Sequence, residues 1–287
     1  MIRYLSDNEK RTSEALYREA FPEDKDSFVK YYYSYVTKNN KILVMEQEGE
    51  ISSMLHLNPY RLSVNGTAVD AYYYVAVATK ADCRHQGMMR KLLCKSLNDI
   101  HEEGHPFTYL MPANRAIYEP FDFRIVYQQE KVELPLAPDK ANEKMAELFD
   151  VFTLRDDWYV EKMMEEERVC AGEAPFEIVP YIMARITHVE RMLELLRSSR
   201  PMKILLNVQD EIIAENNGTF LWDITETYSR CKKLSNDMIT EEKKVLECDV
   251  VVKTNIAELT EVIFGKRNIT GLEPVKVLSR ICINEAV

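Results

Sequence analysis

The first eighty residues alternate between short apolar runs and polar turns, a pattern typical of strands joined by hairpins. Two segments, 8–20 and 26–37, instead repeat apolar residues at helical spacing. The polar tripeptide at 48–50 and the pair Asn65 and Gly66 have the composition of tight hairpin connections. The pattern therefore predicts two helices within a series of strands at residues 1–5, 42–46, 51–57 and 67–78.

A longer amphipathic helix follows Gly87 and runs to about residue 103. Gly104 stands where a helix commonly ends on a left-handed glycine. Beyond it, the pattern predicts a strand at 107–111, a short helix at 113–118 and a strand at 123–134. Five apolar residues mark the buried face of the long helix: Met89, Leu92, Leu93, Leu97 and Ile100.

The second half of the chain begins with a segment, 136–142, that has the composition of a linker. A helical pattern covers 143–165, and a second periodic unit begins near residue 185. In that unit we predict a turn at 216–218, helices at 189–198 and 256–264, and strands or extended segments at 204–208, 211–214, 219–224, 248–253 and 277–284. We therefore predict an α/β (α+β) chain of two mixed units, joined near 136–185.

The composition is that of a folded protein of ordinary charge content. Its 287 residues are enough for two domains, and 16 Tyr, 10 Phe and 2 Trp supply large side chains for a core. The formal net charge of −10 argues against nonspecific binding to nucleic acid or to anionic lipid, because both need a basic surface. The same charge is compatible with a cationic substrate.

The six cysteines lie far apart and form no C-x-x-C pair, so the sequence predicts neither a disulfide framework nor a metal site. The amino terminus lacks the basic and apolar regions of a secretory signal. No apolar stretch approaches the ~18 residues that span a bilayer. We therefore expect a cytoplasmic protein with no membrane partner.

The stretch with the strongest chemical signal is a predicted strand, a loop and the start of the long helix at 74–90. Gly87 allows close approach of the backbone to a phosphate, and Arg84 adds a fixed positive charge. Free N–H groups at the start of the helix complete an anion site. The preceding strand, at Val75, Ala76 and Val77, is suited to hydrogen bonding an extended ligand that carries amides. Alone, R-x-x-G is also found in many ordinary turns.

This stretch resembles the cofactor motif of the GNAT superfamily of N-acetyltransferases, a strand followed by [QR]-x-x-G-x-[GA] at a helix start. Met89 departs from the usual small last residue, and Ala81 and Cys83 depart from a preceding Pro and Tyr. The resemblance implies a GNAT fold with a mixed central sheet and acetyl-CoA as co-substrate. It assigns cofactor binding to Val75, Ala76, Val77, Arg84, His85, Gln86, Gly87, Met88 and Met89.

A second part of the resemblance lies at 118–123, which matches the family's Y-x-x-F-G-F with Asp122 in place of Gly. The resemblance implies that Tyr118 lies near the thioester sulfur and acts as general acid. A phenol is suited to this role, because with a pKa near 10 it stays protonated at neutral pH. Alternatively, Tyr118 is a core tyrosine on a short helix. Asn114 is a further candidate, with its amide directed at the pantetheine arm.

The chemistry implied is direct attack of a primary amine on the acetyl thioester, polarised by backbone N–H near Val77. An alkylamine is only about one part in a thousand neutral at pH 7, so a base is needed, and the sequence reveals none. The aromatic segment 28–35 either lines the acceptor cleft or forms a packed helix face. The acidic residues before it that would attract a cation are Glu23, Asp24 and Asp26.

The carboxy-terminal part, at 206–222 and 248–259, resembles a sterol-carrier-protein-like domain. A GNAT unit followed by such a domain is the plan of the enhanced-intracellular-survival-like acetyltransferases, although the central region here is short. That plan implies that the carboxylate of Val287 reaches the cleft, while a free tail is the alternative. The apolar residues Phe220, Leu221 and Trp222 fit a core better than a lipid tunnel.

These inferences divide the chain into a GNAT domain at 1–135, a linker or helical segment at 136–184 and a sterol-carrier-protein-like domain at 185–287. They predict an N-acetyltransferase that takes a small-molecule or peptide amine, with homo-oligomerisation compatible with the architecture. Two other functions fit the same residues: a non-catalytic acyl-CoA- or lipid-binding module, and a partner-binding scaffold without cofactor affinity.

Overall fold

The computed structural model describes residues 1–130, 132–135, 137–171, 180–235 and 248–283. In chain order the strands are β1 (Ile2–Tyr4), β2 (Lys41–Gln47), β3 (Glu50–Val64), β4 (Thr67–Thr79), β5 (Phe107–Leu110), β6 (Arg124–Gln128), β7 (Val151–Thr153), β8 (Tyr181–Ile186), β9 (Arg197–Ser198), β10 (Met202–Gln209), β11 (Gly218–Ile224), β12 (Ser229–Lys233), β13 (Val250–Asn255), β14 (Val275–Lys276) and β15 (Ile281–Cys282). The α-helices are α1 (Glu14–Ala20), α2 (Asp26–Ser34), α3 (Met88–Glu102), α4 (Arg115–Tyr118), α5 (Pro138–Leu148), α6 (Asp157–Val169), α7 (Val189–Glu194) and α8 (Ile256–Ile263).

Nine of the strands within these described ranges form one mixed sheet. Its main path runs β1-β2-β3-β4-β5-β8-β6, and β7 and β15 extend it beside β3. The strand β8 lies between β5 and β6 and is antiparallel to both. The sheet therefore takes strands from well beyond residue 135, and the division of the chain proposed above stays a prediction.

The long strand β3 organises this sheet. It pairs with β4 along its length, with β2 over its first half and with β7 at Leu62–Val64. Pro59 lies between the β2 and β7 pairings, where its missing N–H breaks no ladder hydrogen bond. Asn65 and Gly66 join β3 to β4 with φ angles of 46° and 77°, as the two-residue hairpin predicted from the sequence requires.

Alternation along the strands separates the two faces of the sheet. Ile42 and Val44 pack with α1 and α2, whereas Leu43 and Met45 pack with α3 on the other face. The predicted apolar face of α3 is confirmed for Leu92, Leu93, Leu97 and Ile100, which are fully buried. The sheet is thus covered on both sides at the end where the candidate cofactor residues lie.

A second sheet has the order β12-β11-β10-β13, with β10 parallel to β13 and antiparallel to β11. Its inner face, including Phe220 and Trp222, belongs to the same apolar cluster as Tyr109 and Ile186 of the large sheet. Burial of a side chain such as Phe220 contributes ~1.5–3 kcal/mol, so this shared core holds the two sheets together. The fold is a mixed α/β fold, as predicted.

Several predicted elements differ from the structure. The helix expected at 143–165 is two helices, α5 and α6, interrupted by β7, because the backbone at 151–153 pairs with β3. Asp156 caps the start of α6 by accepting a hydrogen bond from the Tyr159 N–H at 2.8 Å. The strand expected at 123–134 ends at Gln128, and the helix expected at 189–198 ends at Glu194.

The strand predicted at 211–214 is a loop, and β12 was not predicted. The extended tail is confirmed in part, since β15 pairs with β7 and the Arg280 N–H donates to Asp150 Oδ2 at 3.1 Å. Ile283 is fully buried. The prediction for Val287 lies outside the described residues.

Candidate functional site

The large sheet opens between β4 and β5. β5 pairs with β4 only at Tyr73 and Tyr74, whereas β4 continues to Thr79. On the β5 side, the backbone of Val75–Val77 therefore faces a gap between the two strands instead of a ladder partner. Peptide groups at such a gap are available to an extended ligand that carries its own amides.

A β-bulge lies in this same part of β4. His56 pairs with Val75 and Met54 with Ala78, so two β4 residues, Ala76 and Val77, lie opposite Leu55. Ala76 has a φ of 50°, a left-handed conformation that costs a non-glycine residue ~1–3 kcal/mol. Bulges turn the local peptide groups away from the regular ladder direction. The bulge thus directs the peptide groups near Val77 differently from those of the rest of the strand.

The loop after β4 has the backbone of an anion site. His85 and Gly87 have φ angles of 62° and 73°, and both are exposed. Alternation of left- and right-handed residues points successive N–H groups into one concavity. The first ladder hydrogen bond of α3 runs from the Lys91 N–H to Gly87 O at 3.1 Å, so the earlier N–H groups of the helix have no intrahelical acceptor.

The side chains around this loop take two roles. Arg84 is exposed, and its Nε donates to Thr79 O at 3.3 Å, which draws the guanidinium over the end of β4. Gln86 donates to Asp82 O at 3.3 Å. Met88 is buried and Met89 packs partly against the same cluster beneath α3. The methionine that departs from the family motif therefore packs in part against the core.

Tyr118 ends the short helix α4 and is 8% exposed. Its ring belongs to the apolar cluster of Tyr74 and Met88 and meets Phe123 edge to face, with ring centroids 6.0 Å apart. Burial raises the pKa of Tyr118 to about 12. Among the described residues its hydroxyl has no hydrogen-bond partner. A buried, protonated phenol is thus held beside the first turn of α3.

Two neighbours of Tyr118 have structural roles. Asn114 caps α4, since its Oδ1 accepts a hydrogen bond from the Ala116 N–H at 3.0 Å, and no described residue accepts a hydrogen bond from its Nδ2. Asp122 has a φ of 63°, a left-handed conformation that glycine adopts without strain. Its carboxylate lies 3.9 Å from the buried guanidinium of Arg185, a residue to which sequence reasoning assigned no role.

On the α1–α2 face, the aromatic segment is mainly a packed helix face: Val29, Tyr31, Tyr32 and Tyr33 are buried. Two of the three acidic residues nearby, Asp24 and Asp26, have partners as well. Asp24 accepts the Tyr17 hydroxyl at 2.7 Å, and Asp26 forms ion pairs with Arg18 and Lys30. These contacts favour the structural interpretation of the segment over an open acceptor wall.

His56 is a buried residue that sequence reasoning left without a role. Its Nδ1 lies 2.9 Å from the hydroxyl of Tyr32, and its Nε2 has no partner in the described part of the chain. Burial first, and the charge of Lys10 second, lower the pKa of His56 to about 3. The imidazole is therefore neutral at physiological pH. No sequence signal distinguishes it from any other histidine in a strand.

A groove of about 690 Å³ lies elsewhere, at the carboxyl end of α3. Tyr72, His105 and Trp158 are among its lining residues, and it includes none of Val75–Val77 or of the loop at 84–89.

The described residues hold no group of three or more His, Cys, Asp or Glu side chains arranged for a metal ion. In the described ranges no helix is long and apolar enough to cross a membrane. All six cysteines lie in the described ranges and are free thiols.

A sequence profile of the family described as Acetyltransferase (GNAT) domain matches residues 1–126. The matched residues include the loop at 84–89 and Tyr118. A search of curated protein sequences finds no match. The matched residues end before β7, β8 and β15, which complete the large sheet.

Solved structures share the fold of nearly the whole chain. A probable N-acyltransferase of unknown function from Enterococcus faecalis has a TM-score of 0.72 and 12% identity over 99% of this chain and 97% of that chain. A GCN5-related N-acetyltransferase from Anabaena variabilis has a TM-score of 0.65 and 13% identity over 96% and 94%. Eis1 from Mycobacterium abscessus has a TM-score of 0.61 and 14% identity over 97% and 94%. At these identities the likeness shows the fold alone.

Proposed function

We propose that this chain is an N-acetyltransferase that transfers the acetyl group of acetyl-CoA to a primary amine. The observation that carries the proposal is the meeting of three features at one end of the large sheet. These are the bulged, partly unpaired end of β4, the loop of left-handed residues before α3, and the buried phenol of Tyr118. The GNAT domain matched over 1–126 includes all three.

The loop fits a pyrophosphate. Its N–H groups at Gly87, Met88 and Met89 and the positive end of the α3 dipole favour a doubly charged anion. Arg84 supplies a cation, while His85 and Gln86 line the exposed rim. Gly87 is required for its backbone conformation and not for space. A Cβ at this position would meet nothing within 4 Å, but a residue with a side chain would be strained at a φ of +73°.

The end of β4 fits the amide-bearing arm and the thioester. Acetyl-CoA, when bound, supplies an activated acyl group, and the peptide groups of Val75, Ala76 and Val77 are available to align it. An N–H near Val77 polarises the acyl carbonyl, as fixed backbone donors do in acyl transfer. Asn114 Nδ2 remains available to the arm.

Tyr118 is suited to donate a hydrogen bond to the departing sulfur. The pKa of Tyr118 is raised to about 12 by burial. That value lies about three units above that of an ordinary thiol, so the phenol stabilises a developing thiolate more readily than it gives up its proton.

The acceptor amine must lose a proton before attack. An alkylamine is about one part in a thousand neutral at pH 7, so a base or a water relay is required. The proposal for the carboxylate of Val287 stands on the family resemblance alone. The net charge of −10 favours a cationic acceptor, which includes small amines and lysine side chains.

We also propose that the carboxy-terminal unit is sterol-carrier-protein-like. Its four-stranded sheet with α7 and α8 is compatible with that resemblance. Phe220 and Trp222 are almost fully buried in the shared core, which disfavours a lipid tunnel at these residues.

An acyl-CoA-binding module without turnover is the second candidate function for the chain, since the anion loop alone would suffice for it.

Isothermal titration of acetyl-CoA tests the proposal, with the wild type, Arg84→Glu and the control Arg200→Glu measured at the same salt concentration. Arg200 is an exposed arginine of the carboxy-terminal unit. We expect micromolar binding to the wild type and the control and loss of binding in Arg84→Glu. Amine-dependent release of CoA then distinguishes an enzyme from a binding module. No binding to any of the three proteins would contradict the proposal.

A further inference from the structure

Arg185 lies on β8, the strand between β5 and β6. It is fully buried, and its guanidinium is shared among three acceptors. Nε donates to Phe121 O at 2.8 Å, Nη1 to Ile186 O at 2.9 Å and Nη2 to Asp210 Oδ1 at 2.7 Å. Phe121 belongs to the turn that follows Tyr118, so Arg185 connects this turn to the carboxy-terminal unit.

Asp210 lies in the loop between β10 and β11, and both of its carboxylate oxygens accept hydrogen bonds. Oδ1 also accepts hydrogen bonds from the N–H groups of Ile212 and Ile213, each at 2.9 Å. Oδ2 accepts from Asn216 Nδ2 at 2.9 Å. With so many donors the orientation of this carboxylate is determined by its own loop, and it in turn determines the orientation of the guanidinium of Arg185.

The same loop also contacts the candidate site directly. Ile213 is fully buried in the apolar cluster that contains Tyr118, Phe121 and Phe123. Asn98 on α3 donates from Nδ2 to Ile212 O at 3.2 Å. One loop of the carboxy-terminal unit therefore supports Tyr118 through the cluster and the following turn through Arg185.

The charges explain why the pair acts as a unit. An arginine buried without a partner costs several kcal/mol, so Arg185 requires Asp210 to keep its place. Asp122 contributes less, because its Oδ2 lies 3.9 Å from Nη2 and its side chain is partly exposed. The Asp210 loop fixes the position of the Arg185 guanidinium, and the hydrogen bond from Arg185 Nε in turn fixes the position of the Phe121 carbonyl.

We infer that Asp210 and Arg185 are positioning residues for Tyr118, by which the carboxy-terminal unit sets the geometry of the acetyl-transfer site. This inference rests on the proposed function. Neither residue touches the reacting atoms; both act through the turn at 118–123. The carboxy-terminal unit is thus a working part of the site instead of an appended module.

The test compares the wild type with Asp210→Asn, which keeps the shape but removes the charge, and with Glu211→Gln as the control. Glu211 is an exposed carboxylate in the same loop, so the control should fold and keep activity within about threefold. We expect Asp210→Asn to lower kcat by ~10–100-fold with the acetyl-CoA Kd within about threefold, the split that a transition-state defect gives. Amide hydrogen exchange at 118–123 should accelerate at least ~10-fold while that of α3 stays unchanged.

An unchanged kcat together with unchanged exchange at 118–123 would overturn the inference. A uniform acceleration of exchange over both sheets would also overturn it, because the pair would then serve global stability only. If Asp210→Asn does not fold, Arg185→Lys is measured in the same way, since it keeps the charge but loses the donor to Phe121 O. If the wild type shows no turnover, the proposed function fails, whereas the exchange measurement still tests the positioning role.

Discussion

His56 on β3 pairs with Val75 on β4, so a buried neutral imidazole lies beside the strand end proposed to hold the thioester. The side chain is enclosed by tyrosines, with the rings of Tyr17, Tyr32 and Tyr33 centred 5.7 to 6.4 Å away. Burial of a titratable group next to the site makes the stability of this region dependent on pH.

The pKa of His56 is lowered to about 3 in the folded protein, compared with about 6.5 in an unfolded chain. Below pH 6.5 the unfolded state therefore binds the extra proton, and stability falls as the pH drops toward 3. We expect His56 to account for a loss of about 2 kcal/mol between pH 7 and pH 5.

Urea unfolding at the two pH values measures this loss. In His56→Gln the wild-type difference between pH 7 and pH 5 should shrink by that amount. Tyr32→Phe is the matched control, because it removes the Nδ1 partner but keeps the burial that is the main cause of the shift. An identical pH dependence in the wild type and His56→Gln would show that the pKa of His56 is the same in the folded and unfolded states, which would contradict the effect of burial.

Tyr118→Phe should lower turnover by ~10²–10⁴-fold with little change in acetyl-CoA affinity, because it removes only the donor to the sulfur. Its stability should stay close to that of the wild type, since the ring packing is kept and no described residue loses a hydrogen bond. Steady-state kinetics, calorimetry and urea unfolding provide the three measurements. Tyr228→Phe, at an exposed tyrosine, is the control.

The pH dependence of turnover offers an independent check on Tyr118. Its protonated form is the active one, and its pKa of about 12 lies well above the ordinary tyrosine value. Activity should therefore show no decline due to Tyr118 between pH 8 and pH 10, where an ordinary tyrosine begins to ionise. A fall with a midpoint near 10 that disappears in Tyr118→Phe would contradict the buried environment.

Gly87→Val should weaken acetyl-CoA binding ~10-fold or more, because a β-branched residue resists the left-handed conformation that the loop requires. Gly87→Asn should keep binding within about threefold, since asparagine tolerates that conformation. Both affinities are measured by titration. Gly66→Val is the matched control: its φ of 77° imposes the same backbone strain in a distant hairpin. Equal affinity in all three variants would argue against phosphate binding at this loop.

What the sequence revealed was mainly local. The turn at Asn65 and Gly66, the face of α3 and the strand–loop–helix at 74–90 depend on neighbouring residues, and the structure has all of them. Tyr118 was predicted as a candidate because it begins a motif of six consecutive residues, 118–123. Its burial among Tyr74, Met88 and Phe123 depends on three separate segments and leaves no pattern.

The missed features come from pairing between distant segments. β7 interrupts a helical pattern because β3 offers it an edge, and β8 inserts between strands more than fifty residues before it. Arg185 looks like a surface residue in sequence, since its partner Asp210 lies 25 residues further along the chain, in the loop between β10 and β11. Secondary-structure propensities do not reveal such contacts, because the free energy that decides these elements comes from tertiary packing.

The pairing of β15 with β7 has a consequence for how the molecule is made. Arg280 and Asp150, which flank this pairing, are 130 residues apart in the chain. Likewise β8 completes the sheet from beyond the residues that the GNAT profile matches. While the chain is being synthesised, the growing sheet must therefore keep an open edge at β7 and a vacant place between β5 and β6. Open edges recruit other strands, and distant pairings form slowly. A fragment that ends at residue 126 would contain every cofactor-binding candidate but would lack β7, β8 and β15 of the large sheet. Such a fragment would be prone to aggregate before it bound a ligand.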